Sequence, residues 1–324
     1  MIKTQLKPSG CYNQAPNCLT VDVEDYFHVT AFEDRICRKD WDKYECRVES
    51  NTNHLLSIFD DVEVRGTFFV LGWVAERYPA LIRRILEAGH EIACHGYWHQ
   101  LIYNLKPEEF EKDILDSKEA IYNACGVEVT AYRAPSFSIV PSTRWALDIL
   151  AENGFKTDSS IFPIAGHDRY GDPSSPKAIH GIETRNGLIT EFPPTAGEIK
   201  LGMGQLPLPI GGGYFRLLPL RLTQLAINQV RAKTRPAMFY IHPWELDPEQ
   251  PKIDKLSKRS RFRHYIGLNR TESKLKKLLQ SNPFCPLKEI ASDQFLDDTQ
   301  DTQYSNLEKT SQNNASQNSL VAQR

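Results

Sequence analysis

No cysteine pair in this chain has CxxC spacing: the seven cysteines, at 11, 18, 37, 46, 94, 125 and 285, are odd in number and irregularly placed. That pattern argues against a disulfide framework or a structural zinc knuckle and points to reduced thiols. Cys94, beside His95, reads as a small buried strand residue and not as a metal ligand. No run approaches the ~20 apolar residues of a membrane span. Residues 1–17 are polar and carry Pro8, Gly10 and Pro16 where a secretory leader would be apolar, so a cytoplasmic location is expected. Charge of one sign is also lacking. Against 39 Lys and Arg stand 41 Asp and Glu, a formal charge of −2 that gives no global pull toward nucleic acid or membrane. The Glu of an HExxH zinc-protease helix is missing too, because Gly96 follows His95.

What is present is a long alternation of short apolar runs with amphipathic segments, from about residue 18 to residue 280, the mark of repeated β-α units. The runs at 18–23, 66–71, 90–94, 129–134, 155–158, 188–192 and 237–242 read as strands. Helices are expected at 107–125, opened by Pro107-Glu108-Glu109 and stopped by Gly126, at 74–87 with a break or late start at Pro79, at 142–152 and at 217–231. The Gly-, Pro- and Ser-rich stretch 162–187 reads as an irregular loop. Stretch 202–213, with Pro207, Pro209 and three consecutive glycines, reads as lacking regular structure. The chain divides into a flexible N-terminus (1–17), a barrel (18–245), a basic extension packed on it (246–291) and a polar tail (292–324) too poor in apolar residues to order itself. The basic stretch 252–277 reads as a solvated surface, or as a contact with an anionic glycan, a carrier-linked sugar or an acidic membrane face.

His95-Gly-Tyr-Trp-His99 places two imidazoles four residues apart, a spacing that on a short helical turn closes on one divalent cation. The acidic cluster Asp22-Val-Glu-Asp25 offers a carboxylate for a third position. Further polar residues end the later strands: Arg133, Asp158 and His242. In a barrel of parallel strands these ends form one rim, so residues more than two hundred positions apart would face one cleft.

At this point the chain resembles the polysaccharide deacetylases, the NodB-homology carbohydrate esterases. The resemblance rests on five ordered motifs: Thr20-Val-Asp-Val-Glu-Asp25, His95-Gly-Tyr-Trp-His99, Tyr132-Arg-Ala-Pro-Ser-Phe137, Thr157-Asp-Ser-Ser160 and Tyr240-Ile-His-Pro-Trp244. More narrowly, Val21-Asp-Val-Glu-Asp-Tyr-Phe27 and Gly212-Gly-Tyr-Phe-Arg-Leu217 are similar to a branch associated with bacterial exopolysaccharide gene systems, which carries an added C-terminal segment. The resemblance implies an α/β fold, a distorted (β/α) barrel of seven strands. It implies Asp22 as catalytic base, His95 and His99 as ligands of a divalent metal of the Zn²⁺ class, and a nearby carboxylate as third ligand. The family has two adjacent aspartates where this chain has Asp22-Val-Glu-Asp25. Strand alternation would turn Glu24 inward beside Asp22, whereas a chain that has already turned would present Asp25, and Asp25 is the expected ligand.

Hydrolysing an N-acetyl group then needs a polarised carbonyl, a base, an oxyanion donor and a proton for the departing amine. The expected parts are Asp22 as base, a backbone N–H after Arg133 for the oxyanion and His242 as acid. Arg133 would hold Asp22 ionised and Asp158 would orient His242. Tyr26, Trp98, Phe137, Tyr214 and Trp244 are the aromatics expected to meet sugar rings. The expected partner is an N-acetylated glycan or its precursor, with no nucleic acid. Two other readings share the scaffold: hydrolysis of a small non-sugar amide such as allantoin, and a non-catalytic glycan-binding or assembly module.

Overall fold

The computed structural model describes residues 4–6, 16–167, 169–201 and 204–291; the expected polar tail and most of the expected flexible N-terminus lie outside them. Seven strands run parallel: Asn17–Val23 (β1), Thr67–Val70 (β2), Glu91–Cys94 (β3), Ala131–Tyr132 (β4), Thr157–Asp158 (β5), Gly187–Glu191 (β6) and Met238–Ile241 (β7). They are paired in the order β7-β1-β2-β3-β4-β5-β6. Helices join the successive strands from β1 to β5, among them Val48–Asp61, Pro79–Glu87, Pro107–Cys125 and Trp145–Glu152, and also β6 to β7, whereas the described part of the β5–β6 connection holds a strand and no helix. The architecture is a distorted (β/α)₇ barrel that stays open between β6 and β7. Across that opening the Met238 N–H reaches Thr195 Oγ1 at 2.8 Å.

Period-two alternation decides what faces where. Cys18, Phe69, Ala93, Ala131 and Met238 turn inward and form one apolar layer with Leu287 and Ile290 of the helix Leu287–Ala291, which plugs the barrel from below. The intervening Leu19, Val21, Val23, Phe68, Val70, Ile92, Phe239 and Ile241 turn outward into the larger core beneath the helices. The extension is thus built into the barrel: Phe284–Cys285 adds a parallel strand beside the start of β1, and the Leu287 N–H bonds Thr67 Oγ1 at 2.7 Å. Among the described residues no helix is long and apolar enough to cross a membrane.

Several expected loops are regular. Within 162–187, His180–Thr184 is a strand antiparallel to β6, and Thr4–Leu6, expected as flexible chain, pairs antiparallel with it. Within 202–213, Gly204–Pro209 forms an antiparallel ribbon with Ala196–Leu201. The prolines are tolerated because Pro207 and Pro209 have the same parity and a two-stranded ribbon is all edge. Opposite Pro207, Glu198 directs its N–H to Gln229 Oε1 and its carbonyl to Gln229 Nε2, both at 2.8 Å, away from the ribbon partner. The helix expected over 217–231 is two, Gly212–Leu217 and Leu220–Arg231, because Pro219 intervenes.

Candidate active site

Below the rim the inward positions turn polar. Arg133, one residue past β4, is fully buried. Its Nη1 donates to Asp22 Oδ1 at 2.6 Å and to Thr20 Oγ1 at 2.9 Å, its Nη2 to Ser159 Oγ at 3.0 Å, and its guanidinium lies 4.1 Å from the centroid of Phe69. An unpaired charge there would cost several kcal/mol; saturation of the fork by fixed acceptors holds Asp22 in place with its other oxygen, Oδ2, 3.8 Å from His242 Nε2.

The alternation of β1 continues one step past its end, so Glu24 follows Cys18, Thr20 and Asp22 inward. This corrects the expectation for Asp25. Glu24 Oε1 lies 3.1 Å from His95 Nε2 and 2.9 Å from His99 Nε2, and all three side chains are buried. Asp25 points the other way, capping the turn Tyr26–His28 and accepting from the N–H groups of Tyr26, Arg47 and Val48 at 2.5–2.8 Å. Ligands about 2.1 Å from a tetrahedral ion stand roughly 3.4 Å from one another, so the Glu24–His95–His99 spacing fits a divalent cation. The tautomer fits as well. His95 Nδ1 donates to the Arg133 carbonyl at 2.8 Å, which leaves a lone pair on Nε2. Burial disfavours the Glu24 carboxylate, yet the neighbouring His99, His242 and His95 rings hold its pKa well below the usual range.

The HxxxH segment is a loop, where a helical turn was expected. Asp113 draws it closed by accepting from the Tyr97 and Trp98 N–H groups at 2.8 and 3.1 Å. Gly96 has φ +74°, and a Cβ there would lie 2.7 Å from Asp113 Oδ2; His99 itself holds φ +51°. A non-glycine residue in this conformation is a strain that the Asp113 contacts sustain.

Opposite stands His242, directly after β7. Its Nδ1 donates to Glu245 Oε1 at 2.6 Å, and its Nε2 faces Asp22 Oδ2 and, at 3.9 Å, Glu24 Oε1. Burial lowers its pKa, but Glu24, Glu245 and Asp22 outweigh this and raise it to about 9. Glu245 is held in turn by Arg216 Nε at 2.5 Å, while Arg216 Nη1 bonds the carbonyls of His264 and Ile266 and its Nη2 that of Arg263, all in the extension. Asp158, expected to orient His242, is engaged elsewhere: it accepts from Ser160 Oγ at 2.5 Å, and Ser160 Oγ accepts from the Ala134 N–H at 2.8 Å, while the His242 Nδ1 proton goes to Glu245. Asp158 therefore props the loop after Arg133. Glu245 was legible only as a capping acid three residues past His242 behind Pro243.

A cavity of about 230 Å³ opens above these groups, lined by Asp22, Glu24, His99 and His242 and walled by Phe137, Tyr214 and Trp244. The three-glycine run shapes one wall, since a Cβ on Gly211 or Gly212 would meet the Tyr240 ring at 2.2 or 2.8 Å. Tyr26 and Trp98, expected among the sugar contacts, lie elsewhere. Tyr26 is carried into the core by the turn that Asp25 caps and packs edge-on against Phe27; Trp98, on the Asp113-bound loop, packs against Trp41 and lines a separate hollow.

Residues 38–157 match the family model "Polysaccharide deacetylase", and residues 159–292 match "Domain of unknown function (DUF3473)", so the second match begins inside the barrel and includes β6 and β7. A peptidoglycan deacetylase-like protein of Gibberella zeae is 30% identical over 184 residues, 55% of this chain and 52% of that protein. A chitooligosaccharide deacetylase of a Bradyrhizobium species is 31% identical over 100 residues, 31% of this chain and 43% of that one. The chain thus spans about half, or less, of the length of these curated relatives. A solved structure from Mycobacterium smegmatis, assigned to the polysaccharide deacetylases, superposes with a TM-score of 0.58 at 22% identity, covering 90% of this chain and 94% of that one, which establishes the shared fold.

Proposed function

The chain carries a polysaccharide deacetylase domain, and on that premise we propose that it is a metal-dependent hydrolase that removes N-acetyl groups from amino sugars of a bacterial exopolysaccharide or its precursor. The observation that carries this reading is the facing of two groups across one cavity: Asp22, clamped by Arg133, and His242, clamped by Glu245, 3.8 Å apart at their nearest atoms, with Glu24, His95 and His99 beside them. The deacetylases among its relatives support an N-acetylated glycan as substrate. The exopolysaccharide assignment rests on the Val21–Phe27 and Gly212–Leu217 motifs and on the DUF3473 match.

Glu24, His95 and His99 would hold the ion, which when bound supplies Lewis acidity and a water that ionises near neutral pH. Asp22 takes the proton of the attacking water, and Arg133 fixes the direction from which it does so. The backbone after Arg133 meets the developing oxyanion; there Ser136 and Phe137 hold φ of +50° and +52°, and Ser160 anchors the Ala134 N–H. His242 gives its Nε2 proton to the departing amine, while Glu245 keeps Nδ1 protonated and the ring aimed.

Acetate release from N-acetylated oligosaccharides, with and without chelator, tests this reading. Asp22→Asn should keep the metal and lose at least ~10²-fold in turnover, since general-base assistance contributes about 10² to 10⁴. Unchanged release by that variant, or release that a chelator does not touch, would overturn the assignment.

A further inference from the structure

The extension does more for the cleft than plug the barrel, because its backbone reaches the proton donor through two side chains. The carbonyls at the C-terminal end of helix Lys258–Tyr265 have no later turn to donate to them. Three carbonyls at this end accept from one guanidinium: Arg216 Nη1 donates to His264 and, at 3.0 Å, to Ile266, and Nη2 donates to Arg263 at 3.1 Å. The remaining arm of the fork, Nε, donates to Glu245 Oε2 at 2.5 Å, and the other oxygen of Glu245 accepts from His242 Nδ1 at 2.6 Å. Arg216 and Glu245 are both buried, so neither has water as an alternative partner.

The same corner of the extension meets His242 by a second route. His264 stacks on Trp244 with ring centroids 4.3 Å apart and planes at 12°, and Trp244 stacks on His242 at 5.4 Å and 26°. Gln250 fixes the column: its Nε2 donates to the carbonyls of Trp244 and Asp247 at 2.9 and 2.8 Å, which leaves its Oε1 to accept from His264 Nε2 at 2.6 Å. The backbone that carries Arg216 is clamped from the extension too. Gly267, at φ +74°, packs so closely that a Cβ there would stand 2.5 Å from the Arg216 carbonyl oxygen. Lys274 Nζ donates to the carbonyls of Phe215 and, at 2.6 Å, Leu218. A planar fork can hold one carboxylate and three carbonyls at once; a lysine would keep the charge beside Glu245, but its donors radiate from a single atom.

We propose that Arg216 is a positioning residue through which the extension sets the aim of His242, so that the segment 258–267 belongs to the machinery of proton donation. This rests on the deacetylase reading for the role of His242 as acid.

Arg216→Lys, which keeps the charge and breaks the fork, tests the coupling in the full chain. Turnover on tetra-N-acetylchitotetraose should fall about 10- to 100-fold, the scale of a small misplacement of a reacting group. Turnover on an activated aryl acetate should fall less than about threefold, because its phenolate departs without a proton. KM for the sugar and affinity for Zn²⁺ should stay unchanged. In a Glu245→Gln background the same substitution should cost less than about threefold more, since residues that act through one another are not additive. Lys274→Met loosens the clamp from outside the site and should give the same split between amide and ester at smaller size, which keeps the test open if the buried lysine unfolds the chain. Equal loss on amide and ester, additive losses in the double variant, or undiminished turnover would overturn the coupling. A substrate-free readout separates it from the deacetylation reading. The downfield proton resonance of the buried His242 Nδ1–H, identified by its loss in His242→Gln, should be sharp in the unsubstituted chain and broaden in Arg216→Lys. If acetate release fails in the unsubstituted chain while this resonance responds, the deacetylation reading falls and the coupling stands; a resonance absent from the unsubstituted chain, or unmoved by the substitution, overturns the coupling.

Discussion

The floor and the mouth of the cleft are built on opposite principles. On the floor the charged groups are buried or nearly so and held by fixed partners: Arg133 by Asp22, Thr20 and Ser159, and His242 by Glu245, itself held by Arg216. The mouth of the same cavity, lined by His167, Arg169 and Tyr170 from the loop between β5 and β6 and by Phe262 and Arg263 from the helix Lys258–Tyr265, is made of partly exposed side chains, with the Phe262 ring facing water. Preorganised charge at low dielectric stabilises a transition state strongly, whereas exposed charges act weakly and at longer range. Floor substitutions should therefore change chemistry or metal binding by orders of magnitude, and mouth substitutions should change them far less.

The sharpest break of that contrast lies between two adjacent acids. Glu24→Gln should lower the affinity for Zn²⁺ by more than ~100-fold, because even a group supporting a ligand is worth about 10- to 100-fold. Asp25→Asn should leave Zn²⁺ affinity close to that of the unsubstituted chain and lower the melting temperature by roughly 2–8 °C, since it weakens three charge-assisted bonds to backbone N–H groups. Competition against a zinc indicator, paired with thermal melts, separates the two. If Asp25→Asn lost the metal and Glu24→Gln kept it, the ligand set would be misassigned.

A smaller effect is expected one step from the reacting atoms. Glu245→Gln retains an acceptor for the His242 N–H groups but removes the charge that favours the imidazolium. Turnover on an N-acetyl sugar should fall about 10- to 100-fold, while turnover on an activated aryl acetate should fall far less, because a phenolate departs without a proton. Equal loss on both substrates would mean that Glu245 only holds the fold together.

Much of this site was legible from spacing. The strands were found because their apolar runs are short and regularly interrupted, and the rim residues because each follows such a run. Two errors have separate physical causes. The inward period of β1 outlasts the strand, so Glu24 continues it and Asp25 does not. Asp158 sits at a strand end like the others, but Ser160 turns its carboxylate toward the Ala134 loop. The mouth was not legible. Pro207 and Pro209 concealed a ribbon whose edges tolerate them, and nothing in the basic run 252–277 distinguishes Arg263, which lines the cavity, from Lys258, which does not. Long-range packing of the extension against β1 and Arg216 decides that, and it has no local pattern.

The smallest expected effect lies just beneath the floor, where Asp158 and Glu191 face each other across β5 and β6, both fully buried. Burial pushes both carboxyls above their usual range, and for Glu191 the neighbouring Asp158 adds to the rise. Two ionised carboxylates are acceptors alone, so the hydrogen bond between them requires a proton. With the folded values raised, the native state binds the proton more tightly than the unfolded chain does. The stability this contributes is complete below the usual carboxylate range and is lost as pH rises through the folded values. Glu191→Gln replaces the titrating donor with a permanent one and keeps an oxygen for the Ile161 N–H, which now bonds Glu191 Oε1 at 3.1 Å. The variant should melt close to the unsubstituted protein at about pH 4.5 and a few degrees above it at about pH 8, so that its melting temperature falls less steeply with pH between those values. An unchanged slope would show that this pair carries no proton, and that the Ala134 loop rests on a charged support like the rest of the floor.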